Sequence, residues 1–128
     1  MKNTISLRNG EIFSVAIILK ELTENPELVL PIKASFYLQK NKTAFLDLAQ
    51  EIENTRNEIF AKYGTLNEQG TGYNFAEEVI ADANAELEDL LTLTQDVDVY
   101  MINIDDFKDA KLTSQQMSAL MLMLEEIE

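Results

Sequence analysis

The chain has 128 residues and a formal charge of −13, with neither cysteine nor histidine. That length suits one domain and is too short for two ordinary ones. The missing residue types exclude disulfides and thiolate metal sites, and remove the commonest general base and metal ligand near neutral pH. So acidic a chain is repelled by nucleic acid and by anionic membranes, so direct binding to either is not expected.

The first signal is Ile5-Ser6-Leu7, short and alternating, followed by Asn9-Gly10. It predicts a small strand that ends in a turn. From Glu11 the apolar residues Ile12, Val15, Leu19 and Leu22 recur at helical intervals. Asn25-Pro26 closes this helix, because proline pushes the residue before it out of the helical region.

Pro31 stands where a first helical turn tolerates proline, and neither proline nor glycine follows until Gly64. Leu38, Asn41, Phe45, Leu48, Ile52, Thr55, Ile59 and Lys62 step by three and four, a seam of heptad type. The spacing predicts a helix over 31–63, roughly 50 Å long. The polar lapses at Asn41 and Thr55 either set register or mark where the packing partner ends.

The stretch 64–74 is rich in glycine and asparagine and predicts a turn or small hairpin at the tip of a helical arm. A second helix is expected over 75–92, with Phe75, Val79, Ile80, Ala83, Leu87, Leu90 and Leu91 as its apolar stripe. Two helices with matching seams joined by a loop predict a long antiparallel helical hairpin. Residues 96–105 are partly alternating and β-branched, which predicts a strand able to pair with the N-terminal one. Two strands alone are marginal in water, so they should lie against helices.

The last helix should start at Leu112-Thr113-Ser114-Gln115-Gln116, where Thr113 and Gln116 have the spacing of a capping box. Met117, Leu120, Met121 and Leu124 form its expected apolar face, and Met123 falls off that stripe toward solvent. The expected fold is thus α+β and mostly α. A hairpin of 31–63 and 75–92 joins a base of 1–30 and 93–128, all within a single domain.

The charge is not spread evenly. Residues 1–62 carry eight basic and eight acidic groups and are neutral, whereas 63–107 hold eleven acidic residues and no Lys or Arg. Such a local imbalance creates a field that a mixed surface does not. On the 75–92 helix, Glu78, Asp82, Glu86 and Asp89 step by four, four and three, with Glu77 beside them. Successive carboxylates would sit about 5–6 Å apart along one ridge. That spacing suits a surface for a basic protein or a mimic of a phosphate backbone. It equally suits a solvated face that keeps a small protein in solution.

Leu30-Pro31-Ile32-Lys33-Ala34-Ser35, Arg56 through Tyr63-Gly64, and Ile104-Asp105-Asp106-Phe107 leading into Leu112-Thr113-Ser114-Gln115-Gln116-Met117 carry a further signal. In their order along the chain they resemble a family of small proteins of unknown function from tailed phages and prophages of Gram-positive bacteria. The acidic segment departs from that family in its freedom from Lys and Arg. The resemblance implies a phage context and supplies no catalytic residue.

Other constellations point to little chemistry. Residues 103–109 are rich in oxygen ligands but lack the glycine and glutamate of a calcium loop, so Asp105 and Asp106 are expected as turn residues. Paired carboxylates are many, but none sits in an apolar run that would raise its pKa. No enzyme activity, cofactor or metal is therefore expected. Tyr73, at the arm tip, is either a binding anchor or a packing residue at the start of the second helix.

The function expected is that of a phage or prophage accessory protein in the host cytoplasm. It would bind a protein partner, a basic one in the concrete version, through Glu77, Glu78, Asp82, Glu86, Asp89 and Tyr73. Inhibition of a basic, nucleic-acid-binding host or defence protein is the specific form. The alternative is a structural or assembly protein that forms a homo-oligomer through its hairpin. No transmembrane segment is expected, since the apolar run Val15 to Leu19 is far too short.

Overall fold

A computed structural model describes residues 2–126 of the chain. The order is strand β1 (Lys2–Arg8), helix α1 (Asn9–Glu24), helix α2 (Ile32–Tyr63), strands β2 (Gly64–Leu66) and β3 (Tyr73–Phe75), then helix α3 (Glu77–Thr92). Strand β4 (Thr94–Tyr100), strand β5 (Ile102–Asn103), a 3-10 turn (Ile104–Phe107), helix α4 (Ser114–Leu120) and strand β6 (Leu124–Glu125) follow. The fold is α+β and mostly α, with α2 and α3 joined through the β2–β3 hairpin.

Helix α2 runs unbroken for 32 residues, about 48 Å, because no helix breaker lies between Pro31 and Gly64. Its seam faces inward, with Leu38, Phe45 and Ile52 buried. The first half packs along α1, where Ile12, Val15, Leu19 and Leu22 are also buried. The same helix supports β4, whose Val97 and Val99 point into the core. Residue β1 pairing is antiparallel to β4 over its full length, Lys2 opposite Tyr100 and Arg8 opposite Thr94. Two strands that would be marginal alone are therefore backed by helices.

The two asparagines that begin or interrupt helices are the buried polar residues of the core. Asn41 is a structural bond rather than a gap. Its Nδ2 donates to the Tyr100 carbonyl at 3.0 Å, and the Tyr100 N–H donates to its Oδ1 at 2.7 Å. The side-chain amide thus mimics a neighbouring strand at the edge of β4, and it satisfies backbone groups that burial would otherwise orphan. Asn9 plays a similar part at the other end. Its Nδ2 donates to the Leu90 carbonyl, its backbone N–H to the Leu93 carbonyl, and Gln95 Nε2 donates to its Oδ1. Thr55, the other lapse, is exposed and bonds back to the Glu51 carbonyl.

Asn9-Gly10 opens α1 instead of forming a turn, and three further expectations change. Phe75 belongs to β3, opposite Gly64, so α3 begins two residues later than its apolar pattern suggested. The strand expected over 96–105 starts at Thr94 and stops at Tyr100. After Met101, β5 pairs in parallel with β6, and a 3-10 turn takes the rest. In that turn the Asn103 side chain accepts from the Asp105 N–H, and Asp105 and Asp106 are its two middle residues.

The third change concerns the methionines. Met123 is 0% exposed, whereas Met121 is 68% exposed. The capping box starts α4 as expected, with Gln116 N–H donating to Thr113 Oγ1 and Thr113 N–H to Gln116 Oε1. But α4 ends at Leu120, and turn bonds from Leu122 to Ala119 and from Met123 to Leu120 reverse the chain. Helical phase no longer applies beyond that point, so Met123 swings into the core and its sulfur accepts from Asn41 Nδ2.

The hairpin tip depends on a close approach. A Cβ at Gly64 would lie 2.8 Å from the Phe60 carbonyl oxygen and 2.9 Å from Tyr73 Cβ. The Gly64→Ala variant should therefore lose about 1–3 kcal/mol through overpacking. Thermal unfolding followed by circular dichroism checks this, and an unchanged melting temperature would refute the close approach.

Candidate protein-binding surface

The acidic residues of α3 divide by helical phase. At about 100° per residue, Glu78, Asp82 and Asp89 fall on one line, and Glu77 and Glu88 on another. All five are exposed, and none forms an ion pair among the described residues. The inward stripe of α3 is thin, with only Ala83 and Leu90 buried. Ile80 stays 44% exposed, but on the side of α3 away from the line of Glu78, Asp82 and Asp89.

Glu86 does not join the ridge. It sits closer to the Ala83–Leu90 stripe and turns toward α2, where Lys62 Nζ meets its Oε1 at 3.0 Å. Glu86 is held below its ordinary value of 4.5 by the Tyr63 hydroxyl first and by Lys62 second. Lys62 is held above its ordinary 10.5, chiefly by the Glu86 carboxylate, and the same carboxylate keeps the Tyr63 hydroxyl protonated above its ordinary 10.0.

The Glu86 pKa falls on folding, so its contribution is present above 4.5 and is lost as pH falls through the folded value. The Lys62 pKa rises, so its contribution is present below 10.5 and is lost as pH climbs through the folded value. The link is intact across the neutral range. Carbon-13 titration of Glu86 should give a midpoint below 4.5 that moves back toward it in Tyr63→Phe. A midpoint unaltered by that substitution would remove the hydroxyl as the main cause.

Tyr73 and Phe75 are half-buried rather than free. Both pack on Phe60, with ring centroids 6.5 Å and 5.8 Å apart. Arg56 spans from Phe60 to Phe13 of α1, 5.8 Å and 5.5 Å from the two centroids, and pairs with Glu53. Tyr73 is thus part of the packing that fixes the arm tip. The structure brings Glu78, Asp82 and Asp89 together as an open line, sets Glu77 beside Glu88, and assigns Glu86 and Tyr73 to internal contacts.

A second surface lies at the start of α2, and the sequence reading missed it. Val29, Ile32 and Phe36 are 84%, 89% and 55% exposed. Beside them the rings of Phe36, Tyr37 and Tyr100 follow one another, with centroids 6.3 Å and 4.9 Å apart. Lys40 lies over Phe36, Lys33 over Tyr37 and Lys2 over Tyr100, at 5.4, 5.6 and 4.9 Å from the centroids. Each such contact contributes about 0.5–1 kcal/mol at an exposed site. One signal was available: residues 28–46 contain three lysines and no Asp or Glu.

Little else on the molecule has the form of a reactive site. An open groove of about 880 Å³ follows the outer side of α1, past Ile17, Ile18 and Leu91. A cleft of about 680 Å³ lies between the end of α1 and the segment after the 3-10 turn. No group of three or more Asp or Glu among the described residues is placed to hold a metal. No described helix is long and apolar enough to cross a membrane. Comparison of the chain with protein-family models, with curated proteins and with solved structures gives no match.

Proposed function

We propose that the protein works by binding a basic protein through the exposed carboxylates of α3, without catalysing a reaction. The observation that carries this reading is the line of Glu78, Asp82 and Asp89, exposed, free of ion pairs among the described residues and flanked by Glu77 and Glu88. Carboxylates that served only internal packing would be paired, as Glu86 is with Lys62. Unpaired like charges on one helix repel one another by a few tenths of a kcal/mol per pair, a cost that a cationic partner reverses. Charge of this kind acts chiefly on the rate of encounter and on the choice of partner.

In its concrete form the partner is a basic, nucleic-acid-binding protein, such as a nuclease of a defence system, whose cationic groove the acidic helix occupies. The phage or prophage setting rests on the resemblance of Leu30–Ser35, Arg56–Gly64 and Ile104–Met117 alone. Assembly through the hairpin seam is less well supported, because Leu38, Phe45 and Ile52 are consumed by packing within the chain.

The test is charge reversal at Glu78→Lys, Asp82→Lys and Asp89→Lys together, leaving Glu86 in its ion pair. Wild-type protein immobilised in a Gram-positive bacterial lysate should retain basic proteins that the triple variant loses. Recovery of the same proteins by both would end the proposal.

A further inference from the structure

We infer that the lysine–aromatic strip at the start of α2 is covered by the acidic line of a second copy of this chain, giving a two-fold dimer. The inference rests on the reading of α3 as a recognition surface, and adds a second occupant for it.

The strip has the chemistry of a site for an acidic amphipathic helix. Val29, Ile32 and Phe36 offer exposed apolar surface, and Lys2, Lys33 and Lys40 make no ion pair among the described residues. Their ammonium groups are ordered over rings, so less side-chain freedom is lost when a carboxylate arrives. Exposed cations held beside apolar side chains call for a partner that carries carboxylates. Helix α3 supplies the carboxylates, with Glu78, Asp82 and Asp89 exposed along one line.

The placement of the two surfaces permits a closed pair. Lys33, Lys40 and Lys62 lie on one stripe of α2, since their spacings of seven and twenty-two residues are close to about two and six turns. Lys62 reaches Glu86, and the acidic line flanks Glu86. Strip and line are thus carried by one side of the α2–α3 pair, the strip at the start of α2 and the line near its end. Two copies laid side by side in opposite directions set each strip against the other's acidic line. The same contact is then made twice, and the assembly closes at two. The net charge of −13 opposes association at long range. At physiological salt, however, charges more than about 8 Å apart are largely screened, and the local complement decides.

Sedimentation equilibrium in physiological salt tests the inference, with the full chain as it stands. The wild type should form dimers. Lys33→Glu with Lys40→Glu, and separately Asp82→Lys with Asp89→Lys, should each weaken dimerisation by about tenfold or more. A chain carrying all four changes should regain it, because the charges are exchanged rather than removed. Phe36→Ala, which leaves every charge in place, should also weaken it. Circular dichroism confirms that each variant is folded.

A wild type that stays monomeric at about 1 mM would overturn the inference, since even a weak contact is half formed there. So would assemblies larger than a dimer, reversals without effect, or a fourfold variant that remains monomeric. Capture of basic proteins from lysate by the Lys33→Glu, Lys40→Glu variant separates the two proposals. Capture retained while dimers are lost fits both. Capture retained by a wild type that never dimerises removes the dimer alone.

Discussion

Replacing Asn41 by leucine should destabilise the protein by about 2–6 kcal/mol, one of the largest losses available to a single substitution. The change keeps the branched shape, adds bulk, and removes both hydrogen bonds to Tyr100. It leaves a part-buried N–H and a part-buried carbonyl without partners, and each orphaned group costs about 1–3 kcal/mol. The Met123 sulfur loses its donor as well. Urea unfolding measures the loss, and a midpoint within error of wild type would show that water or a shifted side chain replaces the amide. The Asn41→Asp variant separates shape from bonding. It removes the Nδ2 donor and sets a carboxylate beside the Tyr100 carbonyl in a buried position. Burial raises the pKa of that carboxylate, so the folded state is disfavoured as the group ionises. Its deficit should therefore grow as pH rises and shrink in acid.

Phe45→Ala should remove about 3–5 kcal/mol. Phe45 is fully buried in the cluster where α2 meets α1 and β4. Against a typical total of about 5–15 kcal/mol, such a loss leaves a marginal protein. Leu66→Ala is the internal control. Leu66 is 55% exposed at the arm tip, and its truncation should stay within about 0.5 kcal/mol. Equal losses at the two positions would contradict the placement of the core.

Much of the fold was legible because strong local signals agreed with one another. Pro31 and Gly64 bound α2, Asn25-Pro26 ends α1, and the Thr113–Gln116 box starts α4. Alternation at Ile5–Leu7 and Val97–Val99 marked both as strands able to pair, and β1 and β4 do pair. What escaped were contacts between residues distant in sequence. Asn41 reads as a flaw in a heptad seam until Tyr100 is seen beside it, 59 positions away. Met123 was misplaced because periodicity was carried past the point where the helix ends.

The candidate surface was legible in part. Composition located the acidic block, and spacing placed Glu78, Asp82 and Asp89 on one line. The diversion of Glu86 to Lys62 was not visible, because a salt bridge 24 residues apart depends on how two helices cross. The lysine strip was hidden for the same reason, since Lys2, Lys33 and Lys40 meet only through rings from α2 and β4.

The central claim is that the open carboxylates of α3 recognise a cationic protein. The most direct measurement is the affinity of the wild type and of the Glu78→Lys, Asp82→Lys, Asp89→Lys variant for the captured basic partner, followed as salt rises from about 0.05 to about 0.5 M, over which the screening length falls severalfold. The wild-type affinity should fall by about tenfold or more across that range, and the variant should bind weakly throughout. A wild-type affinity that is flat with salt, or one shared by the variant, would contradict the claim.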